Sequence, residues 1–182
     1  MVFGLTVTLY LHLFIAAQQH QSNAYSADIP TIKIGEQEWT TTNWSYPTLK
    51  SFYYNNDSTI AKKYGRLYYF SNAVNACPPG FHLPTMDEWW QLIQYLGGPN
   101  TAGKRLMEGG DSGLNLPFAG YKSANISEED LYGFIDHYAF YWTGTQDGEQ
   151  TAYAIHIDNN YVITIDPYRR ANGFSVRYIK NK

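Results

Sequence analysis

Cysteine is nearly absent from the chain, which has 182 residues and a single thiol, Cys77. One cysteine cannot close a disulfide within the chain, and it cannot build a zinc site by itself. If the protein is exported, Cys77 is either buried and inert or available to another chain. Burial is favoured, because a free cysteine behaves as a small hydrophobic residue. The sequence therefore excludes a domain held together by its own disulfides.

Clustered positive charge is also lacking. The formal net charge is −3, and the only adjacent basic pairs are Lys62-Lys63, Lys104-Arg105 and Arg169-Arg170. A protein that binds nucleic acid needs a grouped set of basic side chains to neutralise the phosphates. We therefore expect no nucleic-acid partner.

Long apolar runs are confined to residues 1–17, MVFGLTVTLYLHLFIAA. This length suits the core of a signal peptide better than a membrane span, and Ser22-Asn23-Ala24 supplies the small residues that signal peptidase prefers. We expect residues 1–24 to be a signal peptide, or alternatively an N-terminal anchor, because no basic residue precedes the run. Residues 25–182 are then a single exported domain, outside the cell or on its surface, with no transmembrane segment after the leader.

Aromatic residues are abundant, with 17 Tyr, 9 Phe and 5 Trp, while hydrophobic residues make up 44% and charged residues 16% of the chain. This composition is typical of a globular domain. Tyr and Trp combine an apolar ring with a polar tip, so they suit half-buried sheet faces as well as recognition surfaces. We expect most of these rings to pack in the core and a minority to serve recognition.

The strongest local signals are a hairpin and a helix. Thr31–Ile34 and Gln37–Thr40 flank Gly35-Glu36, which suits a type II′ turn. Thr85 and Glu88 form a capping box at the start of a helix. The apolar stripe of this helix repeats at i, i+3, i+4 and i+7, and Gly97 ends it; the stripe comprises Trp89, Leu92, Ile93 and Leu96.

Weaker signals cover the rest of the chain. Residues 43–63 and the segment beyond Pro99 are interpreted as irregular, residues 65–70 as a short strand and residues 72–76 as a brief helix capped by Ser71. A second hairpin spans residues 153–165 around Asn159-Asn160, and residues 166–173 form a loop. A final strand has Phe174, Val176 and Tyr178 on one face. Strands at both ends with two helices between them predict an α+β fold with antiparallel strands and long irregular loops.

Four sequence blocks recur in the order of a known family: IGEQEWTTTNW, YGRLYYFSNAVNACPPGFHLPTMDEWWQLIQYLGG, AGKRLM and NGFSVRYIKN. From about Ile32 to the C-terminus the chain resembles the Fibrobacter succinogenes major paralogous domain. The resemblance implies a compact C-type-lectin-like scaffold, similar also to formylglycine-generating enzymes, with long variable loops. It implies an exported or cell-surface protein of a Bacteroidetes-type bacterium and names no ligand.

The chain departs from the family pattern in two respects. The family often has a cysteine just after the SVR stretch, where this chain has Tyr178. If that position meets Cys77, a bridge worth about 2–4 kcal/mol has been lost. The chain also lacks the paired cysteines of formylglycine-generating relatives and the Glu-Pro-Asn motif of calcium-dependent lectins, of which Asp166-Pro167 is a faint echo. We therefore expect no cofactor and no metal.

No catalytic centre is predicted either. Cys77 and His82 could form a thiol–imidazole pair, but the prolines around them favour a packing role. His137 and His156 have no partner at metal-binding spacing. The acidic groups 128–130 and 147–149 lack the pattern of a calcium loop.

The candidate recognition segment runs from Tyr153 to Gly173. Its side chains are the adaptable polar and aromatic types that are enriched in recognition loops, and lectin-like scaffolds diversified by retroelements vary a similar region before a GFSVR-like strand. The alternative is an ordinary exposed hairpin. Tyr138, Tyr141 and Trp142 could extend the surface. The candidate binding residues are His156, Asp158, Asn159, Asn160, Tyr161, Tyr168, Arg169, Arg170 and Asn172.

Two functional hypotheses of different classes follow. The first is a non-catalytic recognition module that binds a polysaccharide or a surface protein through the C-terminal hairpin and loop. The second is a structural subunit of an envelope or extracellular assembly that associates with copies of itself. An enzyme of unknown type is a third hypothesis.

Overall fold

The computed structural model describes residues 29–124 and 131–182. The expected leader at residues 1–24 and the acidic group at residues 128–130 lie outside the described residues. Four short helices are described: α1 Ala61–Tyr64, α2 Phe70–Asn75, α3 Met86–Tyr95 and α4 Pro99–Leu106. The described strands are β1 Thr31–Ile34, β2 Gln37–Thr40, β3 Ser51–Phe52, β4 Leu67–Tyr68, β5 Phe81–His82, β6 Ala119–Lys122, β7 Tyr132–Ile135, β8 Tyr138–Asp147, β9 Thr151–Asp158, β10 Ile163–Arg169 and β11 Ile179–Lys180.

The strands form a five-stranded sheet in the order β10-β9-β8-β6-β7 and a four-stranded sheet in the order β1-β2-β11-β5. Strands β3 and β4 make a separate pair. Neighbouring strands run antiparallel, except for a parallel contact between β6 and β8. The predicted α+β class is therefore confirmed. Among residues 29–124 and 131–182, no helix has the length and apolar character to cross a membrane.

The N-terminal hairpin and helix α3 form as predicted. Ile34 pairs with Gln37 across the turn, where Gly35 has a φ of 60° that an L side chain rarely adopts. At the start of α3, the Thr85 hydroxyl accepts from the Glu88 N–H, and the Glu88 carboxylate accepts from the Thr85 N–H at 2.8 Å. Both ends of this capping box satisfy backbone donors that the helix itself leaves free.

Helix α4 corrects the prediction of an irregular chain beyond Pro99. Gly98 precedes the helix with a φ of 85°, and Pro99 occupies its first turn. Proline is tolerated there because its missing N–H would have no helical partner. Ala102 and Leu106, four residues apart, are fully buried and join α4 to the core.

The segment before α3 is more regular than predicted. The supposedly irregular stretch at residues 43–63 contains β3 and the start of α1, together with 3₁₀ turns at Tyr54–Asn56 and Ser58–Ile60. The predicted strand at residues 65–70 shrinks to β4, because α2 begins at Phe70 rather than after Ser71. The Tyr69 carbonyl accepts from the Ala73 N–H and so starts the helix early.

Strand β10 corrects the prediction of a loop from residue 166 onward, since it continues through Pro167 to Arg169. It is an edge strand, and the Arg170 N–H donates to the Gln150 carbonyl on the β9 side. Antiparallel hydrogen bonds alternate along a strand, so even-numbered residues bond to β9 and odd-numbered residues face outward. Pro167 is odd-numbered, and its missing N–H therefore costs no ladder bond.

The five-stranded sheet separates two hydrophobic clusters. Ile155 and Ile157 of β9 enter the cluster that also contains Trp89 of α3. Ala152 and Ala154, on the opposite face of the same strand, enter the cluster built around Trp142. Because successive side chains of a strand point to opposite faces, each face of this sheet packs against one of the two hydrophobic clusters.

The predicted final strand is confined to β11 at Ile179–Lys180. The predicted alternation before it is confirmed, with Phe174, Val176 and Tyr178 buried in the second cluster. The Tyr178 hydroxyl donates to the Ala73 carbonyl at 2.5 Å and so ties this segment to α2. Cys77 is half-buried against the same cluster and unbridged. Burial raises the pKa of its thiol to about 12, so the thiol is protonated at neutral pH.

Arg177 is buried in the core, with 1% of its surface exposed. Its Nε donates to Asn43 Oδ1 at 2.7 Å, and its Nη1 donates to the carbonyls of Thr40 at 2.9 Å and Leu114 at 3.0 Å. Its Nη2 donates to the Asn115 carbonyl at 3.3 Å. No ion pair with Arg177 occurs in the part of the chain that the structure describes. Neutral acceptors alone therefore hold this charge.

Replacing Arg177 should destabilise the domain severely. Each buried carbonyl left without a donor costs about 1–3 kcal/mol, so Arg177→Lys and Arg177→Met should lower the free energy of unfolding by at least about 3 kcal/mol. Urea denaturation measures this loss. The control is Arg169→Met at an exposed position, which should change stability by about 0.5 kcal/mol or less. An Arg177→Lys variant as stable as the parent would contradict this role.

Candidate functional site

Three of the nine predicted binding residues come together around one cavity, and the other six do not. His156, Tyr168 and Asn172 line a cavity of about 490 Å³ on the face of the five-stranded sheet that carries the second cluster. We call this cavity the aromatic pocket. Its described lining residues are Tyr121, Ser123, Phe134, Tyr138, Phe140, His156, Tyr168, Asn172 and Phe174.

Strand register explains how these residues meet. Phe140 of β8 pairs with His156 of β9, which pairs in turn with Thr164 of β10. These three residues form a row across the sheet, and Tyr138 and Tyr168 lie on the same face because the side-chain period of a strand is two. Residues far apart in sequence therefore share one wall of the pocket.

Packed rings form the floor of the pocket. Phe140 and Phe174 are stacked with centroids 5.0 Å apart and an interplanar angle of 20°. Tyr168 stands nearly perpendicular to both, with centroids 5.9 Å from Phe140 and 5.2 Å from Phe174. Stacked and edge-to-face contacts of this kind hold rings in fixed orientations. The floor is therefore preorganised.

Phe134 forms the rim of the pocket. Its ring lies 5.0 Å from Tyr138 and 5.8 Å from Tyr121, yet 53% of the residue is exposed. Its φ is 61°, a conformation that is uncommon for a bulky residue. Strained backbone at a cavity is a reason to suspect function. Phe134 is the most exposed residue in the described lining of the pocket.

The polar groups in the described lining of the pocket are uncharged. The Tyr168 hydroxyl lies 2.8 Å and the Thr164 hydroxyl 2.7 Å from Nδ1 of His156. Burial lowers the pKa of His156 and raises the pKa of Tyr168 to about 12. At neutral pH a neutral imidazole therefore faces a protonated phenol. Asn172 Oδ1 accepts from the Ala124 N–H at 2.8 Å, and no residue within 29–124 or 131–182 accepts from the amide N–H groups of Asn172.

The remaining predicted residues lie outside the pocket. Asp158 stabilises the hairpin turn by accepting from the N–H groups of Asn160 and Val162 at 2.9 and 2.8 Å. Tyr161 packs beside Phe118, with ring centroids 6.4 Å apart. Asn159, Asn160 and Arg169 are exposed. Arg170 lies 4.7 Å above the Phe70 ring and donates to the Glu149 carbonyl at 3.0 Å.

Six of the nine described lining residues were not among the predicted binding residues, although one of them, Tyr138, was suggested as an extension of the surface. Of the three suggested extensions, Tyr138 lines the pocket, whereas Tyr141 and Trp142 are fully buried in the core. Strands β6 and β7 contribute Tyr121 and Phe134 from a distant part of the sequence. The alternation of aromatic residues between residues 132 and 140 was the available signal, but it does not reveal which sheet face they share.

The described residues contain no group of three or more His, Cys, Asp or Glu side chains placed to hold a metal ion. His82 is held by structural partners, with Nε2 2.8 Å from the Glu88 carboxylate and Nδ1 2.7 Å from Asn181 Oδ1. Cys77 Sγ lies 3.7 Å from the Pro78 carbonyl oxygen. These contacts agree with a packing role for the Cys77–His82 segment.

Comparison with known proteins identifies one family. Residues 32–180 match the Fibrobacter succinogenes major domain, which confirms the family resemblance of the sequence blocks. No curated protein and no solved structure matches the chain.

The buried imidazole of His156 should make stability depend on pH. Because burial lowers its pKa below the ordinary 6.5, the unfolded chain takes up a proton at a higher pH than the folded chain does. The contribution of His156 to the free energy of unfolding should therefore be constant above about pH 6.5, and the free energy of unfolding should decrease as the pH drops below this value. His156→Gln should flatten this part of the curve in urea titrations between about pH 7.5 and pH 5.5.

His137→Gln, at an exposed position outside the pocket, controls for the loss of a histidine elsewhere. Parallel curves for the parent and His156→Gln would refute the assignment.

Proposed function

We propose that this chain, which belongs to the Fibrobacter succinogenes major domain family, is a non-catalytic recognition module that binds carbohydrate in the aromatic pocket. The observation that carries the proposal is the pocket itself. Aromatic rings and uncharged hydrogen-bonding groups surround a cavity of about 490 Å³, within the size range of small-molecule sites. Ligands that combine apolar and hydroxyl faces match this lining.

Sugars have this combination. A pyranose ring presents C–H groups on its faces and hydroxyls around its rim, so it can lie against an aromatic ring while its rim exchanges hydrogen bonds. Phe134 offers the exposed ring, and His156 and Asn172 offer donors and acceptors beside it. Several rings held by one another cost little conformational entropy on binding. These features favour a sugar over an extended peptide.

The non-catalytic part of the proposal is supported by the pocket chemistry. Most glycoside hydrolases use two opposed carboxyl groups, and the described lining of the pocket contains no Asp or Glu. His156 is hydrogen-bonded to two hydroxyls, and burial disfavours its protonated form. Binding a sugar requires neither paired carboxyl groups nor proton transfer by His156.

We include in this proposal a C-type-lectin-like scaffold and export from the cell. The pairing of β2 with β11 brings the two ends of the described chain together. A scaffold that displays the middle of its chain as loops requires this arrangement. Export is supported by the apolar run at residues 1–17. Both points fit a module that meets polysaccharide outside the cell or at its surface.

Self-association is the second candidate, and it rests on the open edge of β10. Ile163 and Ile165 border a groove of about 400 Å³ with Trp90, which is 47% exposed. An exposed edge strand can pair with another copy. Pro167 interrupts the outward-facing N–H groups of this edge, and proline on an edge strand is a known protection against such pairing. Recognition is therefore the better-supported function.

Substitutions in the pocket should separate binding from folding. Phe134→Ala and Tyr168→Phe should weaken binding of the recognised glycan at least about tenfold, a loss of ~1.4 kcal/mol, because one removes the exposed ring and the other a hydroxyl. Isothermal titration of residues 25–182 with soluble oligosaccharides, after a screen of plant and microbial polysaccharides, measures the effect. Binding should persist when calcium is chelated.

Tyr161→Ala is the matched control, since it truncates a partly exposed tyrosine outside the pocket. It should bind like the parent. The site is wrong if Phe134→Ala binds normally or if Tyr161→Ala alone loses binding.

Pro167→Thr should promote self-association. The substitution restores an outward N–H between those of Ile165 and Arg169 and so completes the edge. Light scattering should show a larger concentration-dependent increase in mass than for the parent. Arg169→Thr places the same residue where an N–H already exists, and it should behave like the parent. Strong self-association of the parent without ligand would favour the structural-subunit hypothesis over the recognition module.

A further inference from the structure

The described lining of the aromatic pocket contains no fixed charge. It includes no Lys, Arg, Asp or Glu, although polar groups are present. Residues 125–130, which lie outside the described part, contain no Lys or Arg in their sequence. A ligand carboxylate entering the pocket would therefore find no cationic partner.

Within the described part of the chain, the charged side chains that act on His156 and Tyr168 are acidic. Asp166 and Asp158 both exert a field on His156, and Asp166 exerts one on Tyr168. Asp166 lies on β10 between Thr164 and Tyr168, on the same strand face as both. Two carboxylates beside a partly enclosed apolar cavity make its potential negative. An anion is thus repelled as well as left unpaired.

We infer that the pocket selects uncharged sugar units and discriminates against uronic acids. This inference rests on the proposed function and adds the ligand class to it. A carboxylate that loses water without gaining a hydrogen-bonded cation carries a large desolvation cost. A hydroxymethyl group at the same position of a hexose carries no such cost and can bond to neutral donors and acceptors. The discrimination therefore concerns a single substituent of the sugar ring.

The test compares two oligosaccharides of equal length and linkage, one of a neutral hexose and one of the corresponding hexuronic acid. At neutral pH and low salt, the neutral oligosaccharide should bind at least about tenfold more tightly. Raising the salt concentration should narrow the difference, because the part due to Asp158 and Asp166 is screened. Equal or tighter binding of the uronic acid would overturn the inference.

Asp166→Lys tests the cause of the discrimination. The side chain is exposed and lines neither the pocket nor the core, so binding of the neutral oligosaccharide should be unchanged. Binding of the uronic acid should strengthen several-fold, with Asp166→Asn intermediate. An unchanged ratio in Asp166→Lys would overturn the electrostatic explanation.

Phe134→Ala distinguishes failure of the inference from failure of the proposed function. If the uronic acid binds best and Phe134→Ala abolishes that binding, the pocket is a carbohydrate site and the inferred selectivity is wrong. If neither oligosaccharide binds, or if Phe134→Ala leaves binding intact, the proposed function fails, and the inference fails with it.

Discussion

The buried guanidinium of Arg177 is the constraint on which the rest of the structure depends. It bonds to acceptors at the end of β2 and in the loop at residues 114–115, and to Asn43, whose Oδ1 also accepts from the Tyr141 hydroxyl at 2.9 Å. A desolvated charge is tolerated only while its donors are satisfied. The final segment, the N-terminal hairpin and the five-stranded sheet are therefore fixed relative to one another.

This fixation reaches the pocket through the final segment. Two residues before Arg177, the Ser175 N–H donates to the Phe140 carbonyl at 3.0 Å, and the Phe174 N–H donates to the Tyr68 carbonyl at 3.1 Å. The segment that is anchored by Arg177 thus presents Phe174 to the pocket floor, where it stacks on Phe140. The preorganisation of the floor is a consequence of core polar bonding as much as of ring packing.

Local rules predicted the elements whose signals are local, such as the Thr85 capping box and the hairpin at Gly35. They failed where the structure of a segment depends on its position in the sheet. Pro167 predicts a loop from the sequence alone, but proline is tolerated in β10 because β10 is an edge strand. The same limit applies to the site. His156 and Tyr168 were named as candidates because they lie in a polar hairpin, whereas Phe134, which lines the same cavity, was not. Phe134 reaches the pocket because β6 pairs with both β7 and β8, and no short sequence pattern predicts this pairing.

Alternation along the strands also explains why a pocket flanked by basic residues in sequence is itself neutral. Lys122 follows Tyr121 directly, and Arg169 follows Tyr168. Successive side chains of a strand point to opposite faces, so a basic residue next to a lining residue is directed away from the cavity. Lys122 accordingly lies 4.7 Å from the ring centre of Phe52, and Arg169 is exposed. The charge of the described lining is thus set by sheet geometry, and a register shift that placed Lys122 and Arg169 where Tyr121 and Tyr168 lie would make the lining cationic.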